Sequence, residues 1–570
     1  MALPEVDVCI VGSGAGGSPV ALQLARAGLK VVVLEKGRHY RKDQFVHDEI
    51  LNSRRNFFMP LPWDEPHLVR RGEGGKYSRT NEAWTANCVG GGTVHMSGYF
   101  YRLKPVDFRL RTELGPVEGA NVADWPLNYE EFSPWYDVAE EELGVSGQAV
   151  PHPFAEPRAK PYPTPPLQAH PIANEIDAAC KALGYHSIPT ARGIVSQPYK
   201  GRGACVYCAL CGSYGCETDA KSSTLAALIP AALATGNLEL RTQCMAREIT
   251  VDPKGRARSV VYLDADGVAQ EQPAKVVVVS CTSVESARLL LNSRSGRFPQ
   301  GLGNNGGLVG RNLMFSSFGQ ARAFFRVAQR KQQWPWLADA QPFVQRSVQD
   351  FYLLPKGNAH GFRKGGTLGF MWSHPNPIYA AVNLAGAGKG GIFGKALKDK
   401  LREYRDSKIL EFEVYGEFLP TRGTYVSVEP SVTDKYGIPV AAITLDRHPL
   451  DYVATRYLVD RGEEILRALQ PEGMERVGEA GETTILQHGT CRFGNDPASS
   501  VLDKHCRSHE VDNLYVVDGS FMPSSGAVPT TLTIAANAFR VGAHLAKTLK
   551  RGRTTGGWHG PEPSNPEGGG

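Results

Sequence analysis

Four cysteines stand close together in this sequence, at Cys205, Cys208, Cys211 and Cys216. Their C-x2-C-x2-C-x4-C spacing is typical of a compact loop whose thiolates hold one iron–sulfur cluster. Zinc sites more often use two cysteine pairs separated by about a dozen residues or more, and unligated structural cysteines are a third alternative. The spacing favours an iron–sulfur cluster, 3Fe-4S or 4Fe-4S, which would accept electrons one at a time.

A second chemical signal is the glycine-rich segment near the start of the chain, in which Gly12, Gly14 and Gly17 fit the pattern G-x-G-x-x-G. In that pattern the first glycine permits a tight turn and the second lets the backbone approach a pyrophosphate. The third lets a helix pack on a strand. Glu35, eighteen residues beyond Gly17, can accept hydrogen bonds from a ribose hydroxyl. These residues predict a dinucleotide site.

The elements around these glycines support that prediction. Residues 6–11 form a β-branched, strand-like run that leads directly into the glycines. An amphipathic helical stretch follows and ends at Gly28, and a second strand at residues 31–34 ends in Glu35. A lone G-x-G-x-x-G is a weak signal, and its alternative is an ordinary glycine-rich turn. A complete βαβ unit makes it a strong one.

Length and composition bound the class of protein. The chain has 570 residues, which favours two domains, and its net charge of +5 is too small to indicate nucleic-acid binding. No uninterrupted apolar run reaches the length of a membrane span, and the first strand begins too early to leave room for a signal peptide. The 11 cysteines are unevenly spread, which favours cluster binding in a reducing compartment over disulfides. We expect a cytoplasmic protein, or one exported only with a partner that carries a signal.

Two further regions predict ligand contacts. Gly90, Gly91 and Gly92 are consecutive and precede His95, and such a run lets backbone approach a flat or charged ligand, although a flexible surface loop is the alternative. Between about residues 305 and 480, strand-like runs alternate apolar and polar residues. This alternation predicts an antiparallel sheet with one packed face and one face toward a ligand.

Taken together, these segments resemble the glucose-methanol-choline (GMC) flavoprotein oxidoreductases. The resemblance rests on the opening βαβ unit, GGGTVHMSG at 90–98, VVVSCTSVESARLL at 277–290, HGTCRFG at 488–494 and NLYVVDGSFMPSS at 513–525. Within the family, the large subunits of gluconate 2-dehydrogenase and related sugar dehydrogenases look nearest. The resemblance implies that FAD is the dinucleotide.

The resemblance also implies roles for particular residues. Gly91, Gly92 and His95 would lie beside the isoalloxazine ring, and His95 is a candidate for a covalent bond to the flavin. Asp518 would contact the ribityl or pyrophosphate region. Thr531 would contact the cofactor, and the closing helix that begins at Leu532 would direct its N-terminus at the flavin.

One departure from the family pattern concerns the catalytic base. The resemblance implies a histidine three residues before a Gly-Thr pair, with an asparagine or histidine as its companion. The residues at these positions are Leu486 and Pro529. Either His488 supplies the imidazole from a shifted position, which makes it the candidate catalytic residue, or His488 is structural. In the second case the protein uses another base, performs different flavin chemistry or has lost alcohol oxidation.

We therefore predict an α/β fold with a Rossmann-like FAD-binding domain and a substrate domain built on an antiparallel sheet. Residues 1–45, 200–300 and 500–550 would form the FAD domain, 46–199 and 301–499 the substrate and cap regions, and 551–570 a disordered tail. The predicted activity is FAD-dependent dehydrogenation of an alcohol, plausibly a sugar or polyol. Electrons would leave through the cluster to a partner such as a cytochrome or small subunit. Lyase or decarboxylase chemistry, or an electron-transfer subunit of a complex, are the alternatives.

Overall fold

The computed structural model describes residues 3–54, 57–80, 82–83, 85–340, 343–374, 376–386, 390–477 and 484–554. The strands in chain order are β1 Val6–Val11, β2 Val31–Glu35, β3 His67–Arg71, β4 Ser78–Thr80, β5 Ser187–Pro189, β6 Leu238–Thr242, β7 Met245–Val251, β8 Ala257–Leu263, β9 Ala269–Val279, β10 Arg311–Met314, β11 Ser317–Arg326, β12 Arg346–Val348, β13 Gly366–Trp372, β14 Ser407–Gly416, β15 Tyr425–Thr433, β16 Pro439–Leu445, β17 Gly473–Arg476, β18 His488–Thr490 and β19 Leu514–Val516. The helices are α1 Gly17–Arg26, α2 Leu110–Leu114, α3 Tyr129–Leu143, α4 Ile172–Leu183, α5 Thr224–Ala227, α6 Ile229–Leu233, α7 Ser283–Asn292, α8 Val327–Arg330, α9 Pro377–Ala385, α10 Gly394–Asp406, α11 Pro449–Ala468 and α12 Thr531–Thr554.

The first sheet has the strand order β6-β2-β1-β9-β8-β7, with β19 paired to β9. Its centre is parallel: Ile10 of β1 lies between Val33 of β2 and Val278 of β9. These central strands are buried, which explains their nearly continuous runs of valine and isoleucine. The crossover from β1 to β2 runs through α1, as the βαβ pattern predicts.

The second sheet has the order β17-β11-β14-β13-β12-β5, and all of its pairings are antiparallel. Strand β14 lies in the middle and pairs along its whole length with β11 and along most of it with β13. One face packs on α11 around the buried side chains of Phe325, Phe370 and Phe412. The predicted combination of a Rossmann-like sheet and an antiparallel sheet is confirmed.

Smaller sheets join the two large ones. Strands β3 and β4 complete a sheet with β15 and β16, and the β10–β18 pair places His488 opposite Met314. Helix α12 packs against α1 and α3, so the last described helix and the first helix of the chain share one core.

Two expectations concern the ends and surfaces of the chain. Residues 551–554 continue α12, and the rest of the predicted tail, 555–570, lies outside the described residues. Among the helices of the described ranges, none combines the length and the apolar character that crossing a membrane requires.

Candidate active site

A cavity of about 580 Å³ lies at the carboxyl ends of β1 and β2 and reaches across to the second sheet. Binding at the carboxyl ends of parallel strands is the general rule for such sheets. The glycine-rich turn 12–16 lines one part of the cavity, segment 91–99 lines another, and β14 contributes Glu413 and Tyr415. One continuous space therefore joins the dinucleotide motif to the antiparallel sheet.

The first two motif glycines have different surroundings. Gly12 has φ +97°, and a Cβ there would lie 2.2 Å from the carbonyl oxygen of Ser280. A Cβ on Gly14 would meet no protein atom within 4 Å, although Gly14 lines the cavity. Gly12 is thus required by the turn itself, whereas Gly14 leaves space that belongs to the cavity. The third motif glycine, Gly17, lies where a Cβ would be 2.0 Å from the carbonyl oxygen of Gly12.

Glu35 lies at the end of β2 and lines the cavity. The backbone N–H and the hydroxyl of Ser13 donate to one carboxylate oxygen, at 3.0 and 2.7 Å, and the N–H of Gly37 donates to the other at 2.8 Å. Burial nevertheless raises the pKa of this carboxyl. These contacts fix the orientation of Glu35 against the glycine turn, where a ribose hydroxyl would be recognised.

Segment 91–99 forms the wall next to the glycine turn. A Cβ on Gly91 would lie 3.2 Å from the Cα of Gly14, and a Cβ on Gly92 would meet no protein atom within 4 Å. His95 lines the same wall, and its ring stacks on Phe58 with centroids 5.5 Å apart. Burial and the nearby cation of Lys221 lower the pKa of His95 to about 4, so its imidazole is neutral at pH 7.

Asp518 and Thr531 bring the end of the chain to the cavity, which both residues line. The carboxylate of Asp518 accepts a hydrogen bond from Ser286 and one at 2.9 Å from the backbone N–H of Ser520. Thr531 is the first residue of α12, so the N-terminal end of that helix faces the cavity with its partial positive charge.

Two buried hydroxyls indicate that the cavity is shaped for a polar ligand. Ser280 and Thr282 both line the cavity. Neither Oγ of Ser280 nor Oγ1 of Thr282 has a hydrogen-bond partner within the described residues. A buried hydroxyl without a partner is costly, and a ligand with polar atoms removes that cost. Neither hydroxyl was predicted as a ligand contact from the sequence, although both residues lie in the 277–290 segment. The donors, the glycine cradle and Glu35 fit FAD.

The structure places His488 outside the lining of the cavity. Its side chain is fully buried, its Nε2 lies 2.6 Å from Oγ1 of Thr530, and Thr530 is the residue that lines the cavity. Burial lowers the pKa of His488 to about 3. Leu486 and Pro529 do line the cavity, so the positions that hold the base and its companion in the family pattern face the ligand space with carbon side chains.

The second sheet supplies titratable groups that the sequence analysis missed. Glu413 is half-buried on β14, lines the cavity and accepts a hydrogen bond from the hydroxyl of Tyr415. His374, just beyond β13, lines the cavity as well, and burial lowers its pKa to about 4. Two glutamates two residues apart, Glu411 and Glu413, in an otherwise apolar strand were the available sequence signal.

The four clustered cysteines lie in a loop that touches the cavity. Cys208 is exposed, and Cys205, Cys211 and Cys216 are half-buried. Gly212 and Ser213 of this loop line the cavity, and the N–H of Ser213 donates to the carbonyl of His95 at 2.8 Å. The cysteine loop and the His95 wall are therefore in direct contact.

Comparison with known proteins agrees with this geometry. A profile of GMC oxidoreductases matches residues 72–316 and a second one matches 420–538, and a profile described as an FAD binding domain matches 7–43. The chain is 33% identical over 551 residues to 6'''-hydroxyparomomycin C oxidase of Streptomyces lividus, and the aligned region covers 96% of this chain and 92% of that protein. It is 26% identical to the gluconate 2-dehydrogenase flavoprotein of Pantoea cypripedii, over 96% of this chain and 95% of that protein.

Pyridoxine 4-oxidase from "Mesorbium loti" is a similar solved structure. Its TM-score is 0.61 at 17% identity, with 95% of this chain and 99% of that chain covered, which supports the fold. The prediction of FAD as the dinucleotide is supported by the family profiles. The glycine turn, the glutamate that follows it and these matches along the chain together show that this protein belongs to the GMC oxidoreductase family.

Proposed function

We propose that the protein is an FAD-dependent dehydrogenase that oxidises a CH–OH group of a polyol or sugar and passes the electrons to an external acceptor. The observation that carries the proposal is the continuous cavity, which runs from the glycine turn at 12–16 to the polar residues of β14. A dinucleotide held along the first sheet leaves its reactive end facing the second sheet, where a substrate can bind.

The residues that would hold FAD follow from their positions. Glu35 lies where it would take the ribose, the N–H groups of the glycine turn would take the pyrophosphate, and segment 91–95 and the start of α12 would flank the ring system. FAD supplies the capacity to accept two electrons and a hydrogen from an alcohol carbon. The chain supplies binding, orientation and a place for the hydroxyl proton.

The substrate class is inferred from the lining and from relatives. Two of the similar proteins, 6'''-hydroxyparomomycin C oxidase and the gluconate 2-dehydrogenase flavoprotein, are named for hydroxylated substrates. At the second sheet the cavity offers His374, Glu413 and the hydroxyls of Tyr99 and Tyr415, which suit a polyhydroxylated ligand.

An exit for electrons is the reason to prefer a dehydrogenase over an oxidase. Cys211 immediately precedes Gly212, which lines the cavity. Buried Lys221 donates to the carbonyls of Cys211 and Val94, and so ties the cysteine loop to the segment beside His95. An iron–sulfur cluster on this loop would lie next to the flavin, and exposed Cys208 would be the side nearest an acceptor protein such as a cytochrome or small subunit.

Several features of the loop suit a cluster. Tyr207, Ala209 and Ser213 have positive φ angles, the kind of backbone conformation that persists where surroundings impose it. The N–H groups of Tyr207 and Lys221 lie 3.4 Å from the sulfurs of Cys205 and Cys216, as donors to thiolate ligands do.

Zinc fits these cysteines less well. Two ligands at about 2.3 Å from one zinc ion lie within about 4.6 Å of each other. In the described part of the chain, the set of three potential ligands with all atoms within 4.8 Å is His152, His186 and Asp350, and it includes no cysteine. Among the described residues, the loop cysteines therefore do not form a set of this kind.

Anaerobic mixing of the FAD-loaded protein with a panel of polyols, sugars and simple alcohols tests the activity. Bleaching of the flavin absorbance by a member of the panel supports the proposal. Product formed without bleaching would instead indicate lyase or decarboxylase chemistry, and no change with any compound would indicate an electron-transfer subunit. Reoxidation that is faster with a one-electron dye than with oxygen supports a dehydrogenase, whereas the reverse order supports an oxidase.

Iron and sulfide analysis with electron spin resonance tests the cluster. We expect about three or four irons per chain. The signal should be lost in Cys211→Ser and kept in Cys180→Ser, a matched control at a buried cysteine on α4. Stoichiometric zinc without sulfide would contradict the cluster and leave the flavin chemistry untouched.

A further inference from the structure

We propose that Glu413 accepts the hydroxyl proton of the substrate and that Tyr415 is a positioning residue for its carboxylate. This inference rests on the proposed function and names a catalytic group for it. It begins from the positions of Leu486 and Pro529, which line the cavity but carry no titratable group. Oxidation of an alcohol still requires a proton acceptor within reach of the hydroxyl.

Glu413 is held firmly at the wall of the cavity. Its strand, β14, is paired on both sides, with Gln320 of β11 and Gly369 of β13 directly opposite Glu413. Gly369 leaves room on this face, because a Cβ there would lie 3.3 Å from the ring of Tyr415 and 3.4 Å from the ring of Tyr99. A carboxylate on a central strand is better fixed than one on a loop, as a general base must be.

The other titratable groups in the cavity are less suitable. His95 stacks on Phe58 in the wall assigned to the flavin ring. His374 lies beside the cysteine loop, where a Cβ on Gly212 would be 2.6 Å from its Nε2. His488 lies behind Thr530 and does not line the cavity. Three other carboxylates line the cavity: Glu35 is bonded to the glycine turn, Glu285 is paired with Arg288, and Asp518 is bonded to Ser520. Glu413 is the one of the four that lies on the second sheet.

The charged and titratable groups around Glu413 come from its own strand, from β11 and from two other segments. Glu411 and Tyr415 share its strand, Arg322 lies on β11, and Arg192, Tyr99 and Tyr101 approach from two other segments. Burial and the charge of Glu411 raise the pKa of Glu413, whereas Tyr415, Arg192 and Arg322 lower it, and the result is about 7. A base with a pKa near the working pH is the kind that acid–base catalysis favours.

The proposed step balances in atoms and charge. The O–H bond of the substrate breaks and its proton goes to a carboxylate oxygen of Glu413. The C–H bond breaks as the C=O double bond forms, and that hydrogen with its two electrons would pass to bound FAD, the co-reactant of the proposed function. The carbonyl product leaves, and the Glu413 carboxyl then returns its proton to solvent. The Tyr415 hydroxyl keeps the carboxylate oriented throughout.

The test compares Glu413→Gln, Glu413→Asp and Tyr415→Phe with Glu411→Gln, a matched control two residues away on the same strand. FAD content and the infrared C=O band of a protonated carboxyl, followed from about pH 5 to about pH 9, are read besides the rate of anaerobic flavin reduction. We expect a carboxyl that titrates near pH 7 in wild type. Its band should be lost in Glu413→Gln and kept in Glu411→Gln, where removal of the Glu411 charge should lower the pKa of Glu413.

The expected rates separate catalysis from folding. With FAD content unchanged, flavin reduction in Glu413→Gln should fall about 100- to 10,000-fold. Glu413→Asp should recover part of that loss, and Tyr415→Phe should shift the pH profile. Burial also raises the pKa of Asp451, to about 8, so a second carboxyl band is expected in every variant. A reduction rate in Glu413→Gln within about threefold of wild type, or an undiminished carboxyl component near pH 7 there, overturns the inference alone. If no alcohol reduces the wild-type flavin, the proposed function and the inference fail together.

Discussion

Gly12 and Gly14 allow the contributions of folding and of cofactor binding to be separated by a single methyl group at each position. A Cβ on Gly14 meets no protein atom within 4 Å and enters the cavity, whereas a Cβ on Gly12 overlaps the carbonyl oxygen of Ser280 at 2.2 Å. We predict that Gly14→Ala weakens FAD binding and leaves the apoprotein intact. Gly12→Ala should destabilise the apoprotein itself.

The magnitudes follow from these contacts. Intrusion of a methyl group into an occupied site costs about 1–3 kcal/mol, which corresponds to roughly 5- to 150-fold weaker FAD binding in Gly14→Ala. In Gly12→Ala the overlap with the Ser280 carbonyl oxygen also costs about 1–3 kcal/mol, and a side chain at φ +97° costs about 1–3 kcal/mol more. The free energy of unfolding of the apoprotein should therefore fall by about 2–6 kcal/mol.

Urea unfolding of both apoproteins and FAD titration by flavin fluorescence measure the two effects. The free energy of unfolding of Gly14→Ala should lie within about 0.5 kcal/mol of wild type, or slightly above it because alanine restricts the unfolded chain. FAD binding to Gly14→Ala within twofold of wild type would refute the placement of the cofactor against this glycine. Equal destabilisation of the two apoproteins would refute the distinction between them.

Three further predictions concern other parts of the molecule. His488 has a pKa of about 3 in the fold and about 6.5 when unfolded, so below pH 6.5 the unfolded chain binds a proton that the native state does not. The free energy of unfolding of wild type should therefore fall by up to about 1.4 kcal/mol per pH unit as the pH is lowered toward 3, and urea unfolding of His488→Gln should lack that contribution. Arg102 is 1% exposed and forms salt bridges with Asp137 and Glu140, so Arg102→Met should lower the free energy of unfolding in urea by about 3–5 kcal/mol. Arg26→Met, at the exposed pair with Glu142, should lower it by less than about 1 kcal/mol, and equal losses in the two variants would contradict this ranking. Gly369→Ala should displace the Tyr415 ring, lower the rate of flavin reduction and keep FAD content, and an unchanged rate would show that the ring has room to move.

The cofactor end of the site could be predicted from the sequence because its signals are local. Gly12, Gly14 and Glu35 belong to one βαβ unit, whose turn and strand ends fix their relative positions. The antiparallel sheet was also predictable, since strands such as β14 alternate over many residues.

The substrate end could not be predicted in the same way. Strand alternation puts Glu411 and Glu413 on the same face of β14 but does not reveal which residue of that face meets the cavity. The place of His488 depends on how β18 pairs with β10 and where Thr530 lies, and these contacts join distant parts of the chain. Tertiary packing, rather than local pattern, decided both.

The pairing of β19 with β9 and the packing of α12 on α1 have a consequence for biosynthesis. The first βαβ unit is synthesised long before the walls that Asp518 and Thr531 contribute to the cavity. Contacts between such distant segments form slowly, and the unpaired edge of β9 is exposed until they do. We therefore expect the cofactor site to close only after β19 and α12 have been synthesised, and a ribosome that stalls before residue 514 to leave an open strand edge prone to aggregation.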